Sequence, residues 1–158
     1  MYKVPLSKTK IESKLALIRE AITVLGTVSA RVTEDQFAAD PNEFAIAEHH
    51  LRRALEAVFD IAGHIISRFS YAPGKRPKTM KEIARALGEK GVVDKDFAES
   101  RLVKMAGYRN RLVHFYDEIT SRELYLIVTL DLGDLEQFAR YAIEAVQSPE
   151  QFGLTAEE

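Results

Sequence analysis

The sequence predicts an all-α fold, an antiparallel bundle of about five helices, and three observations carry that prediction. Apolar residues recur at steps of three and four through five successive segments. Pro5, Pro41, Pro73, Pro77 and Pro149 all lie between those segments and none inside one. Almost no alternating β-branched run is bounded by hairpin turns. Residues 124–130 are the exception, and there the continuing helical spacing outweighs the strand preference of Tyr125, Ile127, Val128 and Thr129.

The first helix is expected over residues 8–37. Ile11, Leu15, Ile18, Ile22 and Leu25 form its stripe, and Leu17, Ala21, Val24 and Val28 widen it into a core-facing surface. Asp40-Pro41-Asn42 then reads as a turn and a helix start. A second helix follows over 43–69, with Leu51, Ala54, Leu55, Val58, Ala62, Ile65, Ile66 and Phe69 on its apolar face. Residues 71–78 form a loop. Thr79 and Glu82 have capping-box spacing and open a short third helix through Ile83, Ala84 and Leu87, which Gly91 follows. Asp94 suits the start of a fourth helix over 95–116. Thr120 and Glu123 repeat the capping-box spacing and open a fifth, running through Gly133 to Val146. One domain over residues 1–148 is expected, with an acidic tail at 149–158 left to fray.

Composition narrows the function classes. The 158 residues are 46% hydrophobic and 29% charged, as in ordinary globular domains. There is no cysteine, which removes disulfides, thiolate metal sites and a cysteine nucleophile. A formal charge of -2 argues against coating nucleic acid by bulk charge, so such a contact would need a local patch. No basic-then-apolar leader and no uninterrupted apolar span is seen, which makes a cytoplasmic protein without membrane contact the expectation.

The chemistry-bearing residues are few. His49 and His50 are adjacent and diverge by about 100° on a helix, no HExxH occurs, and no metal site is expected. No phosphate-binding glycine loop occurs either, so the chain is not expected to bind a nucleotide cofactor of its own. Asp60 and His64, four apart, share a helix face; they would either hydrogen-bond to one another or support a site on the neighbouring helix. Lys75, Arg76, Lys78, Lys81 and Arg85 form a basic loop and helix start, either solvated or part of an RNA track.

The fourth helix is the informative one. Its seam reads Phe97, Leu102, Met105, Leu112 and Val113, and Arg109 falls on that seam. A buried arginine needs a partner. It would snorkel, pair with a carboxylate across the bundle, or meet an anion at a cleft or subunit seam. Asn110 and His114 are four apart and would share a helix face, with His114 about 140° round from Arg109.

The segment from Tyr108 to Tyr116, with Arg109, Asn110, the Leu112-Val113 pair, His114 and Tyr116, resembles the Arg-x4-His-x-Tyr signature of the HepT family of toxins, within the HEPN superfamily of all-helical ribonucleases. Arg53-Ala54-Leu55-Glu56, the stretch from Asp60 to Ile66 and Gly91-Val92-Val93 are similar to the same family. The resemblance implies a homodimeric HEPN-like bundle whose two Arg109–His114 sets line one cleft. It implies an endoribonuclease that needs neither metal nor cofactor and cuts RNA through the RNA's own 2′-hydroxyl. Arg109 and His114 would be catalytic, Asn110 and Asp60 supporting, and Arg111, Lys75, Arg76 and Lys78 weaker RNA contacts.

The resemblance also implies a toxin–antitoxin pair of type II or VII kind. Its partner would be an MntA-like nucleotidyltransferase antitoxin that adenylylates the tyrosine of the signature, here Tyr116. The alternative is a non-catalytic helical module serving as binding or substrate subunit of a nucleotidyltransferase complex.

Overall fold

A computed structural model describes residues 3–114 and 119–158. The first described element is a two-residue strand, β1 (Leu6–Ser7), which passes directly into α1 (Lys8–Arg31). Ser7 caps α1, its hydroxyl accepting from the Lys10 N–H at 3.2 Å. Ile11, Leu15, Ile18, Ala21, Leu25 and Val28 are its buried stripe. The expected helix to Phe37 is cut short. Val32 is extended, and Thr33 with Gln36 forms a capping box that opens a separate α2 (Glu34–Ala39). Two successive β-branched residues, Val32 and Thr33, the second of them the cap, outweigh the continuing apolar spacing. Phe37 is buried against Phe44 and Tyr125, with ring centroids 6.0 and 5.4 Å away.

Asp40 caps α3 (Pro41–Ile66) through the Asn42 N–H, with Pro41 in the first turn where its missing N–H costs nothing. This helix is buried on more than one side, from Ala47 to Ile66. It lies antiparallel to α1: Arg31 pairs with Glu43, Lys14 with Asp60, and Ser7 meets His64. Thr79 and Glu82 form the expected capping box at α4 (Met80–Glu89). Gly88 is required there, because a Cβ at this position would stand 2.7 Å from the Ala98 Cβ.

The expected fourth helix is helical over 95–113 but not uniform. It consists of α5 (Lys95–Phe97), a π turn (Ala98–Leu102) and α6 (Val103–Val113). The seam's five-residue step from Phe97 to Leu102 is the trace of that turn. A step of five swings a side chain off the stripe of an α-helix, and the wider i→i+5 turn brings it back. Both residues are buried. The helix ends at Val113 rather than Tyr116, and His114 is its extended C-cap.

The expected fifth helix is two, α7 (Ser121–Leu130) and α8 (Leu132–Gln147), parted at Asp131. Asp131 and Asp134 take ion pairs from Lys104 and Arg101 across the bundle, at 3.5 and 3.8 Å, which fixes the joint. The tail is not frayed. Pro149–Phe152 makes a 3₁₀ turn, Leu154 is buried, and β2 (Ala156–Glu157) pairs in parallel with β1. Arg68 donates to the Pro5 carbonyl and Lys3 to the Gly153 carbonyl, both at 2.8 Å, so the two termini are clasped together on the end of α3. Among the described residues no helix is long and apolar enough to cross a membrane.

Candidate functional site

The site begins where α6 crosses α3. Arg109 is half-buried on the α6 seam, and its Nε lies 3.1 Å from Glu56 Oε1 on α3. This is the carboxylate across the bundle that a seam arginine needs. The pair is a charge contact rather than an aligned hydrogen bond, since the buried Nε–H does not point along the Nε–Oε1 line. Nη1 makes a long 3.4 Å bond to Asn110 Oδ1. The guanidinium is thus held in place with donor capacity left over.

His114 stands one turn further on, but not on the helix. Its N–H closes the last helical bond to the Asn110 carbonyl at 3.1 Å, and its ψ of 121° turns the chain away. That bond and a φ of -98° keep the His114 Cβ close to its helical direction, on the Asn110 face, and it is the chain after His114 that leaves the axis. The His114 side chain is solvent-exposed on the exit from α6, and Asn110 engages Arg109 instead. Tyr116 lies outside the described residues.

The remaining candidates separate. Asp60 does not bond to His64: it pairs with Lys14 at 3.1 Å and faces solvent. His64 points the other way. It is buried, and its Nε2 accepts the Ser7 N–H at 3.0 Å. Burial, with Arg68 and Lys10 nearby, pushes its pKa down to about 4, which keeps the ring the neutral acceptor the clasp needs.

Arg111 is occupied as well. It makes a bidentate pair with Glu123 at 2.6 and 2.8 Å that ties α6 to α7 and holds the Glu123 carboxyl below its usual range. Its expected RNA contact would have to break that pair. Arg76 is likewise structural, donating to the Ile66 and Phe69 carbonyls at the end of α3 and lying over the Tyr71 ring. Lys75 and Lys78 are exposed beside it. Ile66 is ten residues, roughly 15 Å of helix, from Glu56. The basic loop is therefore not brought to Arg109.

What the structure adds is a groove of about 520 Å³ on the outer face of α3, reaching Glu56 at one side and Val113 at the other. Lys14, His49, Arg52, Arg53 and Asp60 line it. The α3 residues among them fall at steps of three and four, a signal present in the sequence but masked by the stronger apolar stripe behind it. Among the described residues no group of three or more His, Asp or Glu is arranged to hold a metal ion.

Comparison with known proteins shows the family to which the chain is related. The model of a family described as Ribonuclease HepT-like matches residues 18–142. A protein named tRNA nuclease HepT, from Aphanizomenon flos-aquae (strain 2012/KM1/D3), is 25% identical over 130 residues, covering 82% of this chain and 85% of that protein. A solved structure described as "Crystal structure of the toxin-antitoxin with AMP-PNP" superposes with a TM-score of 0.72 at 26% identity, covering 87% of this chain and 99% of the other.

Proposed function

The chain belongs to the HepT-like ribonuclease family, and we propose on that basis that it is the toxin of a toxin–antitoxin pair, an endoribonuclease acting through Arg109 and His114. The observation that carries the reading is the contrast at the end of α6. A guanidinium is fixed half-buried by Glu56 with donors to spare, and an exposed imidazole follows one turn later.

Cleavage needs no group beyond the RNA and the side chains. The 2′-hydroxyl attacks the adjacent phosphorus and gives up its proton to a base. The P–O5′ bond breaks, and the 5′-oxygen takes a proton from an acid. The products are a 2′,3′-cyclic phosphate and a 5′-hydroxyl. An imidazole can take or give a proton in either step, and a positioned general acid or base is worth about 10²–10⁴ in rate. A guanidinium fork fits two phosphate oxygens and offsets the charge that develops on them. Asn110, bonded to Arg109, would steady that fork, and Asp60 would act at most through the groove it lines.

A homodimer brings a second Arg109–His114 set to the same cleft. The exposure of Val113, an apolar residue beside His114, supports a covered surface there. The partner is an antitoxin with nucleotidyltransferase chemistry that adenylylates Tyr116. A bulky, anionic phosphodiester two residues past His114 would repel RNA phosphates. The test is cleavage of RNA by purified protein in the presence of chelator. His114→Ala and Arg109→Ala should each lose the activity, and sedimentation should give a dimer. Unchanged cleavage by either variant overturns the mechanism. Intact mass after mixing with the antitoxin and ATP should rise by one AMP in the parent chain and not in Tyr116→Phe.

A further inference from the structure

The groove on the outer face of α3 has a charge balance that its sequence does not suggest. Along α3 it presents His49, Arg52, Arg53, Glu56 and Asp60, two arginines against two carboxylates. Both carboxylates are already neutralised from other helices, Glu56 by Arg109 of α6 and Asp60 by Lys14 of α1. Arg52 and Arg53 are exposed and make no ion pair among the described residues. The groove therefore carries two uncommitted guanidinium groups. Beside them is the exposed ring of His49, held edge-on to His50 with centroids 5.1 Å apart.

We propose that this groove is the track for a single-stranded segment of RNA leading to the Arg109–His114 site, with backbone phosphates on Arg52 and Arg53 and a base stacked on His49; the proposal rests on the ribonuclease reading above. The arginine forks suit phosphate oxygens, and an exposed imidazole is a stacking surface for an unpaired base. From His49 to Asp60 the face runs eleven residues, roughly 16 Å of helix. Glu56 marks the point where the track meets Arg109, so a phosphate arriving there competes with Glu56 for the same guanidinium. The chemistry selects an unpaired strand too. In-line attack by a 2′-hydroxyl needs a backbone free to swing into alignment, and an A-form duplex holds it out of line.

The test uses the full chain and a labelled single-stranded RNA of about 12 nucleotides with methylated 2′-hydroxyls, which binds but is not cut. The parent protein should bind it more tightly than a duplex of the same sequence. Arg52→Gln/Arg53→Gln should bind about tenfold more weakly. The slope of log affinity against log salt should fall by about 1.4, or 0.7 for each phosphate that is no longer neutralised. His49→Ala should weaken binding with the slope unchanged. Lys75→Gln/Lys78→Gln, on the distant loop, should match the parent.

Unchanged affinity and slope in the arginine double variant overturns the track, and so does tighter binding of the duplex. A double variant that sediments as a monomer where the parent is a dimer also overturns it, and assigns the face to a second copy of the chain. Thermal unfolding of the variants at the parent's temperature excludes misfolding as the cause. If the parent cuts natural RNA while the double variant binds normally, the groove assignment alone fails. If the parent neither cuts nor binds RNA, the ribonuclease reading fails with it.

Discussion

Arg109 and Arg111 stand two residues apart on the last turns of α6, and each faces a glutamate. Arg111 closes a bidentate fork on Glu123 at 2.6 and 2.8 Å. Arg109 meets Glu56 through a misaligned Nε contact at 3.1 Å and spends Nη1 on a 3.4 Å bond. The first arrangement uses the donors up and clamps two helices. The second holds the guanidinium in place and leaves donors for an anion. The two histidines divide in the same way. His64 is buried, neutral and committed to the Ser7 N–H, whereas His114 is exposed on a helix exit. Residue type alone does not assign function here; the degree to which each side chain is already satisfied does.

The largest effect should separate the arginines. Arg109→Ala should lower the cleavage rate by about 10²–10³ with little change in unfolding temperature, as for removal of one transition-state charge partner. Arg111→Ala should leave cleavage at the parent's rate. If both variants lose activity equally at full foldedness, the distinction breaks.

Next comes the histidine contrast, read as stability against pH. The folded-state pKa of His64 is about 4 against 6.5 unfolded. Between those values the unfolded chain binds a proton that the folded chain does not, so stability is complete above pH 6.5 and falls on acidification. From pH 7 to pH 5 the loss should be about 2 kcal/mol, at 1.36 kcal/mol per pH unit below 6.5. Urea unfolding at both pH values measures it, and His64→Asn should flatten that part of the dependence. An equal slope in parent and variant would remove His64 as the cause.

Both arginines depend on the phase that the π turn gives α6. Gly88→Ala, whose Cβ would crowd Ala98 at 2.7 Å, should cost about 1–3 kcal/mol and disturb cleavage along with stability. A variant as stable and active as the parent would show that the turn yields freely. The smallest effect belongs to the clamp. Its two side chains are about a third exposed, so Arg111→Ala should cost only about 1 kcal/mol, a fall of roughly 2–4 °C in unfolding temperature.

Much of this is readable in the chain. The caps at Asp40, Thr79 and Thr120 and the buried stripes of α1 and α3 depend on neighbours within four residues, and local spacing reports them. The joints are harder. Thr33-x-x-Gln36 is a visible capping box that the longer apolar stripe conceals, and the five-residue step at Phe97 is a visible π turn. The need of Arg109 for a carboxylate is also legible, because a half-buried charge demands one; which carboxylate is not.

Local pattern in the chain is enough to establish a helical bundle and to put Arg109 on the seam of the fourth helical segment, and the segment around it carries a resemblance to the HepT family, to which the chain belongs. Packing had to choose the rest: Glu56 answers Arg109, Asp60 turns to Lys14 rather than His64, and the acidic tail closes on β1 through partners about 150 residues away. The difference is one of range. Hydrogen-bond ladders and caps are set within a turn or two of helix, whereas a charge or a strand edge takes whichever partner the packed bundle brings within about 4 Å, and spacing along the chain carries no record of that distance.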